Sequence, residues 1–221
     1  MSIPLIIRDL GICDYQDTYT AMQNFTLARD SNTPDEIWLL EHKPVFTQGL
    51  TAKEADLLNP GDIPVITIDR GGQVTYHGPG QLIAYTLVDL HRNKLGVKGL
   101  VAKLEQTVID FLAEFDVTAK RRDNAPGVYV DDAKIASLGL RVKKGRSYHG
   151  LSLNIAMDLE PFSRVIPCGL HGITMTQLCN FSQKVDIQAV KQQLLNHLCH
   201  QLGYNLASAT HETSIPQSYL P

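Results

Sequence analysis

The sequence predicts an α+β fold with a mixed or antiparallel sheet and flanking helices. The chain has 221 residues, 43% of them hydrophobic, which suits a single folded core. Three segments repeat apolar residues at helical spacing, and six short runs with strand character lie among them. The strands do not alternate one for one with helices, as they would in a doubly wound fold. We therefore expect helices packed on one mixed or antiparallel sheet.

Three helices are predicted from apolar stripes that should face the core. Asp14 and Asp186 are candidate N-caps of the first and third helices. The stripes comprise Tyr15, Tyr19, Met22 and Phe25; Val97, Val101, Leu104, Val108, Leu112 and Phe115; and Ile187, Val190, Leu194, Leu198 and Leu202.

The predicted strands are rich in β-branched and aromatic residues and are bounded by turn residues. They cover residues 37–41, 65–69, 82–88, 127–130, 135–142 and 148–155. No repeat or linker divides the chain, so residues 1–206 are predicted to form a single catalytic domain. Residues 207–221 are polar with two prolines, and we expect them to form a loosely attached C-terminal tail.

Composition excludes several classes of protein. The formal net charge is −3 and the isoelectric point is near 6.2, so no basic field is present to bind nucleic acid. The first apolar run is too short for a signal peptide, and no stretch approaches the roughly 20 apolar residues of a membrane helix. Four cysteines in a chain of this length do not form a disulfide framework. We expect a cytoplasmic protein with reduced thiols and without membrane or nucleic-acid partners.

The segment RGGQVTYHGPGQ, residues 70–81, contains four glycines, a proline, an arginine and a histidine between two strand-like runs. Glycine permits close backbone approach to a ligand, and exposed N–H groups can bind carbonyl or phosphate oxygens. The segment is neither a P-loop nor a Rossmann fingerprint. Composition alone leaves two alternatives, a ligand-binding loop or a tight hairpin with a bulge.

Cys168 lies in the sequence IPCGLHG, where a turn would suit a nucleophile, although a buried free cysteine is the alternative. A nucleophilic thiol usually needs a cationic or basic neighbour. Lys134 is the first candidate, because it begins an apolar strand where an ammonium is costly unless its stem reaches solvent. His171, His77 and His149 are further candidates. A zinc site is not expected, because no CxxC pair occurs.

Several segments together resemble the lipoyl(octanoyl) transferases, also called the lipoate-protein ligase B family. The glycine-rich segment 70–81 resembles the signature loop of that family. The other four matching segments are EH at 41–42 with PVFT at 44–47, KIASLG at 134–139, HGLSLN at 149–154 and PCG at 167–169, and all five follow the order of the family. The resemblance covers about residues 40 to 180, and five segments in order are far more specific than one.

The resemblance implies a fold similar to the catalytic domain of biotin and lipoate protein ligases. It implies that octanoyl passes from octanoyl-acyl carrier protein to Cys168 as a thioester, with Lys134 as the second catalytic residue. The acceptor would be a lysine of a lipoyl domain of a 2-oxoacid dehydrogenase or of the glycine-cleavage H protein. No cofactor and no metal are implied. The implied substrate-binding residues are Arg70, Gly71, Gly72, Gln73, Val74, Thr75, Tyr76, His77, Ser137, Leu138, Gly139, Gly150, Leu151 and Ser152.

Three other functions are consistent with parts of this pattern. An ATP-dependent lipoate or biotin ligase of the same fold would share the glycine-rich loop and the strand lysine, but would need no nucleophilic thiol. A Cys–His hydrolase would require a histidine directed at Cys168. A binding module without activity would tolerate Cys168→Ser.

Overall fold

The computed structural model describes residues 4–166, 172–182 and 185–221 of the chain. This part contains three α-helices, which are α1 (Tyr15–Ala28), α2 (Val97–Ala113) and α3 (Ile187–Leu202). Its strands are β1 (Leu5–Cys13), β2 (Asp35–His42), β3 (Val45–Gln48), β4 (Val65–Thr67), β5 (Val74–His77), β6 (Gln81–Leu87), β7 (Ala119–Lys120), β8 (Val128–Val130), β9 (Ala133–Lys143), β10 (Arg146–Asn154) and β11 (Thr210–Glu212).

Eight strands form one large mixed sheet in the order β11-β1-β2-β6-β10-β9-β8-β7. Strand β1 pairs in parallel with β2 and with β11, whereas the remaining neighbours are antiparallel. A second sheet of three strands has the order β4-β3-β5. The α+β prediction with a mixed sheet is confirmed.

The central strands of the large sheet are buried on both faces. Alternate residues of β2 point to opposite faces, so Ile37 and Leu39 join one core cluster, and Trp38 and Leu40 join another. Helices α2 and α3 pack in the first cluster, and α1 packs in the second. This arrangement explains why β2 reads as a nearly continuous apolar run.

The three predicted helices are confirmed, including two of their caps. The Asp14 side chain accepts a hydrogen bond from the backbone N–H of Gln16, and Asp186 accepts one from Gln188 at the start of α3. Gly203 caps the C-terminus of α3 in a left-handed conformation (φ 80°). Its backbone N–H donates to the carbonyls of Cys199 and His200.

The C-terminal segment is packed on the domain, unlike the loose tail that its polarity suggested. Its strand β11 pairs with the edge of β1, and the carbonyl of Ser214 accepts a hydrogen bond from Arg8. The ring of Tyr219 lies 5.5 Å from that of Phe25 in an edge-to-face contact. Ile215 and Leu220 also pack against the core cluster that contains Phe25, so backbone pairing and a few apolar contacts hold this mostly polar segment.

The helices in the described part of the chain are all too short or too polar to cross a membrane.

Candidate active site

A cavity of about 440 Å³ lies between the segment 70–77 and strands β6, β9 and β10 of the large sheet. Most of its exposed lining is apolar, with polar side chains at particular positions, a common composition for small-molecule sites. The lining residues are Tyr15, Thr51, Arg70, Gly71, Gly72, Gln73, Val74, Thr75, His77, Ile83, Tyr85, Val97, Val101, Asn124, Ala125, Pro126, Lys134, Ser137, Leu138, Gly139, Leu140, His149, Gly150, Leu151 and Ser152.

The glycine-rich segment is part loop and part strand, because its middle residues, Val74–His77, form β5. The buried Arg70 guanidinium organises the loop by donating to the Thr47 carbonyl (2.9 Å), the Thr47 hydroxyl (2.8 Å) and the Gln73 carbonyl (2.8 Å). The backbone N–H of Gly71 donates to the Leu140 carbonyl at 2.9 Å, which fixes the loop against β9. The loop therefore forms one wall of the cavity.

Gly139 permits this close approach of loop and sheet. A Cβ added at Gly139 would lie 2.8 Å from Cδ of Arg70 and 3.3 Å from the Gly71 carbonyl oxygen. Any larger residue here would push the loop away from β9.

Lys134 is fully buried at the start of β9 and lines the cavity. Its Nζ lies 5.6 Å from the centre of the Tyr129 ring. Gly127 packs against the same side chain, since a Cβ there would lie 2.5 Å from Cε of Lys134. The Gly127 N–H in turn donates to the carboxylate of Glu105 at 3.0 Å. The stem of Lys134 is thus held in a narrow space.

Cys168 and His171 lie outside the described residues, but the chain on both sides of 167–171 is described. The backbone N–H of Ile166 donates to the Asp56 carbonyl at 2.8 Å. On the other side, the Lys134 N–H donates to the Thr174 carbonyl (2.8 Å), and the Thr176 N–H donates to the Lys134 carbonyl (2.9 Å). The chain that follows the predicted nucleophile is therefore hydrogen bonded to Lys134 itself.

Two buried histidines and two tyrosines form a connected group beside the cavity. The His42 Nε2 lies 2.7 Å from the Tyr85 hydroxyl, and the Tyr15 ring lies 4.8 Å from His42 and 5.9 Å from His77. Burial lowers the pKa of His42 to about 4 and the pKa of His77 to about 3. Both imidazoles are therefore neutral at physiological pH, which suits hydrogen bonding and packing.

His149 is the third buried histidine, and it lies beside Asp69. The pKa of Asp69 is held well below its usual range by His149 and by the hydroxyls of Tyr148 and Tyr19. The two side chains are close without a direct hydrogen bond, because Nε2 of His149 is 4.0 Å from Oδ1 of Asp69. Burial lowers the pKa of His149, so this imidazole is neutral as well.

Every predicted substrate-binding residue except Tyr76 lines the cavity, and so does Lys134. Tyr76 instead packs between Phe46 and Phe162, with ring centres 5.4 Å and 5.6 Å away. It lies on β5 between Thr75 and His77, and neighbouring residues of a strand point to opposite sides. The structure thus brings together segments that lie far apart in the sequence.

Other lining residues were not anticipated from the sequence as part of a site. They are Tyr15, Thr51, Ile83, Tyr85, Val97, Val101, Asn124, Ala125, Pro126 and Leu140. Tyr15, Val97 and Val101 were assigned to the apolar stripes of helices, because helical spacing does not separate a core wall from a cavity wall. For Tyr15 and Tyr85, the hydroxyl group was the feature that could have indicated a site, since a buried tyrosine needs a polar partner.

Comparison with known proteins identifies the family. Residues 14–199 match the lipoyl protein ligase A/B catalytic domain. The chain is 56% identical over 198 residues to the octanoyltransferase of Stutzerimonas stutzeri, covering 90% of each chain. It is 55% identical over 205 residues to the octanoyltransferase of a Marinomonas species, covering 93% of this chain and 96% of the relative.

Solved structures show the same fold at much lower identity. The bipartite lipoate protein ligase of Thermoplasma acidophilum has a TM-score of 0.76 at 14% identity, over 98% of this chain and 89% of its own. The biotin protein ligase of Aquifex aeolicus has a TM-score of 0.56 at 13% identity, over 90% of this chain and 70% of its own. The chain therefore belongs to the lipoyl protein ligase A/B catalytic domain family and, within it, to the octanoyltransferases.

Proposed function

We propose that the chain is an acyltransferase that moves octanoyl from octanoyl-acyl carrier protein to a lysine of a lipoyl domain through a thioester on Cys168. The acceptors are lipoyl domains of 2-oxoacid dehydrogenases and the glycine-cleavage H protein, and the reaction takes place in the cytoplasm. Close similarity to octanoyltransferases over most of the chain supports the reaction class. The acyl cavity that ends at the buried Lys134 is the observation that supports the assigned site.

The first half of the reaction transfers the acyl group to the enzyme. The Cys168 thiolate attacks the thioester carbonyl carbon, a new S–C bond forms, and the bond to the carrier thiol breaks. The carrier leaves as a thiolate and takes up the proton of the Lys134 ammonium, which leaves Lys134 as a neutral amine. An ammonium at Lys134 favours the attacking thiolate, because an adjacent positive charge stabilises an anion.

The second half transfers the acyl group to the acceptor. The ε-amine of the acceptor lysine attacks the Cys168 thioester, the amide C–N bond forms, and the Cys168 thiolate leaves. Lys134 relays the proton that the amine loses. A thioester is nearly equal in energy to the thioester it replaces, whereas the amide is much more stable, so ATP is not required.

The cavity supports a preference for a medium acyl chain. Its lining between Lys134 and the far end is largely apolar, and each buried methylene contributes about 0.8 kcal/mol. Two sets of backbone N–H groups are candidates to stabilise the oxyanion, those around Ser137 to Gly139, which line the cavity, and those near Cys168.

An ATP-dependent ligase remains the second candidate, because a solved lipoate-protein ligase A bound with ATP shares the fold, with a TM-score of 0.73 at 13% identity. A likeness at that identity concerns the fold and not the chemistry. The transferase is favoured because relatives above 50% identity are octanoyltransferases.

The test is intact-protein mass spectrometry after mixing the enzyme with octanoyl-acyl carrier protein in the absence of ATP. We expect an octanoyl adduct on the wild type that hydroxylamine removes and that moves to an added lipoyl domain. Cys168→Ser should form no such thioester, and Lys134→Ala should form it at least about 100-fold more slowly, the range for loss of an acid–base group. Domain acylation only from free octanoate plus ATP would instead establish the ligase.

A further inference from the structure

The cavity ends at the same level on three neighbouring strands. Its lining on β9 runs from Lys134 to Leu140, and on β10 it runs from Ser152 to His149. On β6 the last lining residue is Tyr85. The residues that continue each strand beyond this level do not line the cavity, and Leu140 pairs with His149 in the sheet. The lining therefore stops at a second end, opposite Lys134, where the buried His149 and Tyr85 form part of the wall.

The spacing along β9 fits a medium acyl chain. Leu140 follows Lys134 by six positions on β9. A strand rises about 3.3 Å per residue, so the levels of Lys134 and Leu140 are roughly 20 Å apart along the strand. The thioester and the Lys134 side chain occupy part of this length at one end. The remainder accommodates an extended eight-carbon chain, whose terminal methyl group would approach the level of His149.

His149 reaches the wall of the cavity because of an unusual backbone conformation. Its φ is 59°, in the left-handed region that favours glycine, although it lies within β10. Successive strand residues normally point to opposite faces, yet the rings of Tyr148 and His149 lie together with centres 5.1 Å apart. The same imidazole stacks on Tyr19 (5.6 Å) and contacts Tyr85 (5.8 Å). The backbone is strained to place this ring at the end of the cavity.

A polar cluster supports His149 from the side away from the cavity. Asp69 accepts a hydrogen bond from the Tyr19 hydroxyl at 2.9 Å and another from the Tyr148 hydroxyl. Arg141 lies 3.5 Å from the same carboxylate. None of these four residues lines the cavity. The His149 Nε2 has no hydrogen-bond partner within the described ranges, so its position depends on packing against this support.

We propose that the His149 imidazole is the stop that sets the longest acyl chain the enzyme accepts. This inference rests on the proposed octanoyl transfer and adds the residue that determines chain length. Removing the ring would extend the cavity toward the Tyr19 and Asp69 cluster. A longer acyl chain could then bind without displacing the side chains around the cavity.

The experiment compares octanoyl-, decanoyl- and dodecanoyl-acyl carrier protein as donors in competition, with the acyl-enzyme measured by intact mass. The variant is His149→Gly, since glycine removes the ring and also accepts the left-handed backbone. The preference for decanoyl over octanoyl should rise about 10-fold, because two further methylenes at about 0.8 kcal/mol each would be buried. His149→Asn, which also tolerates φ above zero, provides a second test if the glycine variant folds poorly.

Lys144→Gly is the matched control. Lys144 also has a positive φ, 51°, in the turn between β9 and β10, and it does not line the cavity. This change should leave the ratio of decanoyl to octanoyl transfer unchanged. An unchanged ratio in both folded His149 variants, or an equal shift in Lys144→Gly, would overturn the inference. A wild type that transfers no acyl group from any carrier would instead contradict the proposed function.

Discussion

At the scale of single residues, Gly127 determines how much room Lys134 has. A Cβ at this position would lie 2.5 Å from Cε and 3.1 Å from Nζ of Lys134, and the φ of 139° already disfavours any other residue. We expect Gly127→Ala to displace the lysine side chain and to slow acyl transfer at least about 10-fold, since misplacement by about 1 Å can cost 100-fold. The measurement is the rate of acyl-enzyme formation at a temperature where the variant is folded.

Gly11→Ala is the control for the backbone strain alone. Gly11 also has a positive φ, 65°, but a Cβ there meets no atom within 4 Å. This variant should lose some stability and keep nearly the wild-type rate. Equal rate losses in the two variants would mean that strain, and not contact with Lys134, is responsible.

At the scale of elements, the helices were predictable because their apolar stripes and caps are local features. Strand β1 was not recognised, since its apolar run is interrupted by Arg8 and Asp9. In the structure, Arg8 is buried and makes two hydrogen bonds, at 2.7 and 2.9 Å, with Glu36 on the neighbouring strand β2. The sequence does not predict such an ion pair, because it forms only when the two strands are adjacent. Each charged residue considered alone indicates an exposed position.

The glycine-rich segment illustrates a second limit of the sequence. Its ligand-binding character was inferred from glycines and from a family resemblance, and residues 70–75 together with His77 line the cavity. The orientation of Tyr76 away from the cavity depends on where β5 begins, which the glycines do not fix. The guanidinium of Arg70 likewise holds the loop together, a role that composition does not distinguish from binding a substrate.

The C-terminal segment is an element whose contribution can be measured by truncation. A chain ending at residue 216 keeps β11 but loses Tyr219 and Leu220, which pack against the cluster that contains Phe25. We expect the free energy of unfolding to fall by about 2 kcal/mol, a typical value for one large apolar side chain. This loss corresponds to a melting temperature roughly 4 to 8 °C lower.

A chain ending at residue 208 also removes β11 and the hydrogen bond from Arg8 to Ser214. It should melt at a lower temperature still, while the domain proposed for residues 1–206 keeps its fold. Thermal unfolding followed by circular dichroism compares the three chains. Identical melting temperatures would mean that the segment packs without contributing to stability.

At the scale of the whole molecule, the cavity is assembled from residues that span the chain from Tyr15 to Ser152. Three of the segments identified as functional converge on it, namely those that contain residues 70–77, 134–139 and 149–152, although the cavity itself depends on the packing of the two sheets. No local pattern fixes that packing, which is why Tyr85 was assigned only to a strand and Val101 only to a core-facing helix stripe. The family resemblance nevertheless identified the lining residues that lie within its motifs, such as Arg70 and Ser152.

The group of buried neutral histidines makes global stability dependent on pH. The folded-state pKa values of His42 and His77 are about 4 and 3, whereas an unfolded histidine has a pKa of about 6.5. The unfolded chain therefore binds more protons below pH 6.5, and stability is lost as the pH falls toward 4. At pH 5.5 each of these histidines should lower the free energy of unfolding by about 1 kcal/mol per pH unit.

Urea denaturation between pH 7.5 and 4.5 measures this dependence, and His42→Gln is the variant to compare. The free energy of unfolding of this variant should be lower at every pH, because the hydrogen bond between His42 and Tyr85 is altered. Below pH 6.5, however, its free energy of unfolding should fall less steeply with decreasing pH, because one titrating histidine is absent. Asp69, whose pKa is also lowered, affects stability only near and below the ordinary carboxyl pKa of about 3.9, so its effect falls outside this range. A wild-type profile that is flat from pH 6.5 to 4.5 would show that these histidines are protonated without cost, and hence are not buried as neutral imidazoles.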